Sequence, residues 1–137
     1  MPATFEETHM DRPIETASWD DAEIQAYDPA LFTGEVERRS LRGSGGPGIS
    51  WVRFIDGARS NWHTHHGGQL LHVLEGEGCV VTEGAGVTEL RAGLVVRTAP
   101  GIRHWHGALR GRTMTHLAVT CGDTEWPDPP ERPDPIG

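Results

Sequence analysis

Lysine does not occur in the 137 residues, and all twelve basic residues are arginine. A lysine Schiff base is therefore excluded anywhere in the chain. Cysteine is nearly missing as well. Cys79 and Cys121 stand far apart with no CxxC spacing, which excludes a disulfide framework and a thiolate metal site. Both read as small buried hydrophobes. No stretch of about eighteen apolar residues occurs, so no segment reads as a membrane-spanning helix. The N-terminus does not have the basic-then-apolar layout of a secretory leader, and the expected location is the cytoplasm. Concentrated positive charge is also lacking: the net charge is −8. With no basic patch interleaved with aromatics, nucleic acid is not an expected partner.

The charge is uneven along the chain. Residues 1–30 carry eight acids and one base, and residues 122–137 carry five acids and one base. The middle, 31–121, has seven acids and ten bases. A slightly positive middle suits a small polar or anionic ligand. The length is that of one domain with a real core. The charge shifts divide it into an N-terminal extension over 1–30, a body over 31–121 and an acidic, proline-rich tail over 122–137, with Trp126 as its anchor.

Within the extension, Ser18 and Asp21 resemble a capping pair ahead of a short helix at 19–27 that Pro29 would stop. An extended arm lying on a neighbouring subunit is the alternative. Strands are then expected at Phe32–Leu41, Ile49–Ile55, Gln69–Leu74, Gly78–Thr82, Val87–Leu90, Leu94–Thr98, Ile102–His106 and Thr113–Thr120. Gly-rich turns separate them at Asp56-Gly57, Gly76-Glu77-Gly78, Gly84-Ala85-Gly86, Ala92-Gly93 and Pro100-Gly101. Short strands at this spacing, without alternating helices, predict an all-β barrel or sandwich. Gly43, Gly45 and Gly48 match G-x-G-x-x-G literally, but a nucleotide loop must open a helix and here β-rich sequence follows.

Seven of the eight histidines lie between His63 and His116. Neutral imidazole is a common ligand for zinc, iron, copper, manganese and nickel. In a strand, residues two apart share a face, so His63 and His65 point the same way, and Gln69 keeps their parity if the strand runs on. A third histidine from a neighbouring strand would complete a metal site. His106 shares a face with His104, and His116 shares one with Met114, Ala118 and Thr120. Trp62 and Trp105 alternate against these histidines and read as packing residues. His72 has the opposite parity to Gln69 and reads as outward, His66 as a solvated turn residue, and His9 carries no expected role.

Two spaced motifs carry a resemblance. Gly57-x5-His63-x-His65-x3-Gln69-x6-Gly76 comes first. Gly93 follows, then Ala99-Pro100-Gly101 and His104. Together they resemble the two motifs of the cupin superfamily over residues 48–121. The resemblance implies an all-β, single-domain jelly-roll barrel with one divalent metal in its mouth, as a homodimer. It implies His63, His65, Gln69 and His104 as the metal ligands. Where the usual cupin has glutamate, this chain has Gln69. That set resembles small three-histidine, one-glutamine cupins, including manganese-dependent hydroxynitrile lyases. The stretches 57–65, 104–108 and 114–118 carry this likeness. It implies His106 and His116 as acid/base groups and Ser50, Val52 and Thr120 in the substrate pocket, leaving Trp51 and Arg53 facing outward. Manganese is the favoured ion, with iron, zinc, nickel and cobalt accepted by the same donors. The expected activity is Lewis-acid lyase or isomerase chemistry on a small oxygenated substrate. An Fe(II) dioxygenase, a polyketide cyclase and a non-enzymatic small-molecule sensor are the alternatives.

Overall fold

The computed structural model describes residues 13–41 and 45–134. The first twelve residues of the extension with His9, Gly43 of the glycine-rich turn and the last three residues of the tail lie outside them. The described residues form ten strands in chain order: β1 Glu23–Ile24, β2 Phe32–Leu41, β3 Gly48–Ser60, β4 Thr64–His65, β5 Gln69–Thr82, β6 Gly86–Arg91, β7 Val95–Thr98, β8 His104–Ala108, β9 Met114–Thr120 and β10 Thr124–Glu125. Among the described residues one 3-10 turn forms, Pro29–Leu31, capped by Asp28, whose carboxylate accepts from the Ala30 amide. Among the described residues no helix is long and apolar enough to cross a membrane.

Every strand pair is antiparallel. The sheet closes because two long strands each change partner halfway. The first part of β3, Gly48–Phe54, pairs with β9, and its end pairs with β8 at Arg59↔Gly107. Likewise β5 pairs with β9 over Gln69–Gly76 and with β8 over Gly78–Thr82. Both β8 and β9 thus bridge the same two strands, which makes a jelly-roll barrel. Alternation fills it. Val52, Phe54 and Ala58 of β3, Leu71 and Val73 of β5, and Met114 and Ala118 of β9 all point inward and are buried. The valine, leucine, phenylalanine and methionine side chains among them each contribute about 1.5–3 kcal/mol by leaving water.

Several expectations shift here. Asp56-Gly57 does not end its strand. Asp56 at φ 50° and Gly57 at φ 80° bend β3, which runs on to Ser60. Gly76-Glu77-Gly78 is likewise the bend of one continuous β5. Gly84-Ala85-Gly86 is the hairpin between β5 and β6. The helix at 19–27 does not form. Ser18 and Asp21 close a single turn, with the Ser18 amide donating to Asp21 at 2.7 Å, and β1 then pairs with β2. The arm therefore lies on its own barrel, where Trp19 stacks under Arg39 and Arg53 at 4.3 and 4.2 Å. Cys79 is buried as expected, whereas Cys121 is exposed in the loop after β9.

Candidate metal centre

The two histidine-bearing segments meet by backbone pairing. His63 and His104 sit directly opposite each other, exchanging both amide-to-carbonyl hydrogen bonds at 2.9 Å. Opposed residues present their side chains to the same face, so this bridge puts His63, His65 and His104 together. One ring nitrogen from each of His63, His65, His104 and His106 lies within 4.8 Å of the others, and all four residues are buried.

The hydrogen bonds orient these rings. His63 Nδ1 faces the Asn61 carbonyl at 2.8 Å, and His104 Nδ1 faces the Ile102 carbonyl at 2.9 Å. A carbonyl only accepts, so each Nδ1 carries the proton and each Nε2 presents a lone pair. His65 Nδ1 meets Thr124 Oγ1 at 2.8 Å, a hydroxyl that orients the ring and can either accept or donate. Gln69 donates its amide N–H to Thr120 Oγ1 at 2.9 Å, which turns Gln69 Oε1 the other way. His65 Nε2, His104 Nε2 and Gln69 Oε1 are all buried without a hydrogen-bond partner among the described residues. Orphaned buried acceptors are costly. Several converging on one spot, backed by pinned Nδ1 atoms, is the arrangement a divalent cation satisfies.

Burial acts on every ring. It pushes His63 well below the ordinary imidazole range, with the His104 charge adding to it. It pushes His65 down to about 4, and Gln69 alongside offsets part of that without a well-formed hydrogen bond. His104 is lowered by burial, partly offset by the Ile102 carbonyl. The rings are therefore neutral at neutral pH, the state a metal requires.

His106 differs from the other three in one respect. Its Nδ1 meets a second imidazole, His116 Nε2, at 3.0 Å. Both rings are fully enclosed, with Phe54 edge-on to each at 5.5 and 5.4 Å. Burial lowers His106 strongly, with His116 next among the causes, and lowers His116 to about 4. One ring of the pair donates an N–H to the other's lone pair across 3.0 Å. That gives it a donor–acceptor path that carbonyl-pinned rings do not have.

A cavity of about 420 Å³ opens in front of the cluster. Ser50, Val52 and Thr120 all line it, together with His63, His65, Gln69, His106 and His116. Trp51, Arg53 and His72 take the opposite faces of their strands and are half-buried, while His66 is exposed. Three contributors escape the sequence reading of the site. Thr124 orients His65. Trp126 lies over His63 with ring centroids 4.4 Å apart. Arg38 is on the cavity wall. Inward parity with Val36 and Ser40 was the available signal for Arg38, whereas Thr124 and Trp126 arrive only because β10 pairs with β4.

A profile for the cupin domain matches residues 50–120. The (R)-mandelonitrile lyase of Granulicella tundricola is 43% identical over 96 residues, which is 70% of this chain and 62% of that protein. The chain thus spans less than two thirds of that relative's length. A cupin-like protein of Thermotoga maritima is 30% identical, with a TM-score of 0.73 over 81% of this chain and 89% of that one. A polyketide cyclase of Streptomyces resistomycificus shares the fold at 16% identity, with a TM-score of 0.68 over 82% of this chain and 84% of that one. Motif spacing, closed barrel, buried histidine cluster and profile match agree: the chain belongs to the cupin family and carries a cluster able to hold a metal ion.

Proposed function

We propose that this cupin is a manganese-dependent lyase that splits small cyanohydrins into an aldehyde and hydrogen cyanide. The observation that carries the reading is the division of labour among the buried rings. His63, His65 and His104 have Nδ1 tied to oxygen and Nε2 free, beside a neutral amide oxygen, whereas His106 and His116 are tied to each other. The 43% identity to a mandelonitrile lyase supports the same reaction.

When bound by His63, His65, Gln69 and His104, a divalent ion supplies a Lewis acid whose full +2 charge no carboxylate offsets. The chain's own groups handle the proton. His106, backed by His116, accepts the substrate hydroxyl proton. The O–H electron pair becomes the second bond of the carbonyl as the C–C bond to the nitrile breaks. Cyanide leaves with that bonding pair, and the proton returns to it as hydrogen cyanide. Buried, neutral rings favour this duty, since a base must be unprotonated to begin. The cavity walls Val52, Ala118 and Trp126 hold the hydrocarbon part and exclude water. The proposal includes a homodimer, supported by the apolar side chains Leu70, Leu74 and Val95 left exposed on the outside of the barrel.

The test loads purified protein with manganese and follows cyanide release from mandelonitrile. The His106→Ala and His116→Ala proteins are expected to lose about 10²–10⁴-fold in rate while retaining metal. His63→Ala is expected to lose the metal itself. Equal rates for wild type and His106→Ala sink the lyase reading. Loss of metal in His106→Ala makes that ring a ligand instead.

A further inference from the structure

Arg38 is the one arginine among the described residues lining the cavity in front of the histidine cluster. Burial lowers its pKa. Its strand neighbours have partners. Arg39 bonds the Trp19 carbonyl and Glu37, and Glu37 also lies 3.8 Å from Arg53. Arg38 makes neither an ion pair nor a side-chain hydrogen bond among the described residues. The acid on the same wall, Asp28, has its carboxylate on the Ala30 amide. Arg38 is half-buried on the cavity wall, so its guanidinium is held at the cavity without a counter-charge and is placed to pair with an anion that enters.

Sheet register fixes where that anion would sit. Arg38 is paired directly with Val52, Val52 with His116, and His116 with Val73. Directly paired residues share a face, so these four form one row across the inner wall. Strands are about 4.8 Å apart, which places Arg38 and His116 about 10 Å apart at the backbone with Val52 between them. A small molecule lying over Val52 meets the His106–His116 pair at one end and the guanidinium at the other.

We propose that Arg38 is the anion receptor of this cavity and that the substrate carries a carboxylate remote from its reacting hydroxyl. The proposal rests on the cavity being the substrate site, and on the lyase reading only for the reaction at the histidine end. Arginine suits the task because its planar fork takes a carboxylate through two parallel hydrogen bonds.

The probes are 4-(hydroxymethyl)benzoate and benzyl alcohol, titrated calorimetrically into manganese-loaded, full-length protein. Wild type is expected to bind the carboxylate about ten- to hundredfold more tightly than the alcohol. Arg38→Met, which keeps the apolar stem, is expected to abolish that preference and leave benzyl alcohol binding unchanged. Arg38→Lys is expected to keep part of it. Equal affinities for the two probes in wild type, or an undiminished preference in Arg38→Met, overturn the proposal. Should Arg38→Met not fold, the partial loss in Arg38→Lys and a wild-type preference that shrinks as sodium chloride rises decide it in the same sense. Cyanide release from 4-carboxymandelonitrile is read separately. Its absence alongside an intact carboxylate preference ends the lyase reading and leaves the receptor standing.

Discussion

Thr120 and Thr124 hold the donor atoms of the candidate centre in place without belonging to it. Thr120 takes the Gln69 amide N–H and so aims Gln69 Oε1, and Thr124 takes the His65 Nδ1 position and so aims His65 Nε2. A ligand that loses such support has more orientations open to it, and the cation loses affinity. Valine matches threonine in shape but removes the hydroxyl. Thr124→Val and Thr120→Val are each expected to weaken metal binding by about 10–100-fold, with melting of the metal-free protein changed much less. Competition against a chromophoric chelator measures this. Unchanged affinity in both variants would mean that Gln69 and His65 do not contact the ion. The threonines also show what was hidden in the sequence. The spacing His63-x-His65 is local, so parity groups those two side chains, whereas the chain turns between His65 and Gln69 and parity does not carry across to Gln69. Thr124 is nearly sixty residues further on, in sequence that reads as a polar, proline-rich tail. Nothing local says that it folds back against His65.

The strands show the same division between local and distant information. The limits of β2 were legible to the residue, although a bulge at Gly34, at φ 90°, interrupts its alternation between Thr33 and Glu35. The limits of β3 and β5 were not. Glycine at positive φ is the shared signal of a hairpin turn and of a bend within a strand, and only the partner strands decide between them. Here β9 and β8 pair with successive lengths of the same two strands, so both long strands bend as they pass from one partner to the other. The bounds expected for β8, Ile102–His106, fall two residues early for a related reason: the Pro100-Gly101 turn runs on through Arg103 before pairing begins. Gly76 carries the bend of β5. Its φ is +82°, and a Cβ there would lie 1.8 Å from the Thr113 carbonyl oxygen. Neither the backbone nor a neighbouring side chain can yield cheaply, because the obstacle is main chain of β9's approach. Gly76→Ala is therefore expected to destabilise the barrel by about 2–4 kcal/mol. A chemical denaturation midpoint reads this directly, and a midpoint within error of wild type would refute the account of the bend.

At the scale of the whole molecule, five imidazoles enclosed in one barrel make metal-free stability depend on pH. The direction follows from which state holds the protons. An unfolded histidine titrates near 6.5, whereas His65 and His116 in the folded protein are pushed down to about 4, chiefly by burial. His63, His104 and His106 are displaced the same way. Between those values the unfolded chain binds more protons than the folded one, so stability rises with pH. The contribution is complete above about pH 6.5 and is lost as pH falls toward about 4. Metal-free protein is expected to lose on the order of a few kcal/mol across that window, seen as a steady fall in melting temperature from pH 7 to pH 4. Manganese binds only the unprotonated donors of the folded state, so saturating metal should raise the melting temperature most at the upper end, with the gain shrinking as protons compete. Replacing His116 by phenylalanine removes one buried titrating ring without touching the expected ligands. The variant's melting temperature should fall less steeply with acid than that of wild type. Parallel curves would show that His116 is not enclosed and neutral in the folded barrel, and would remove the partner on which the acid/base role of His106 depends.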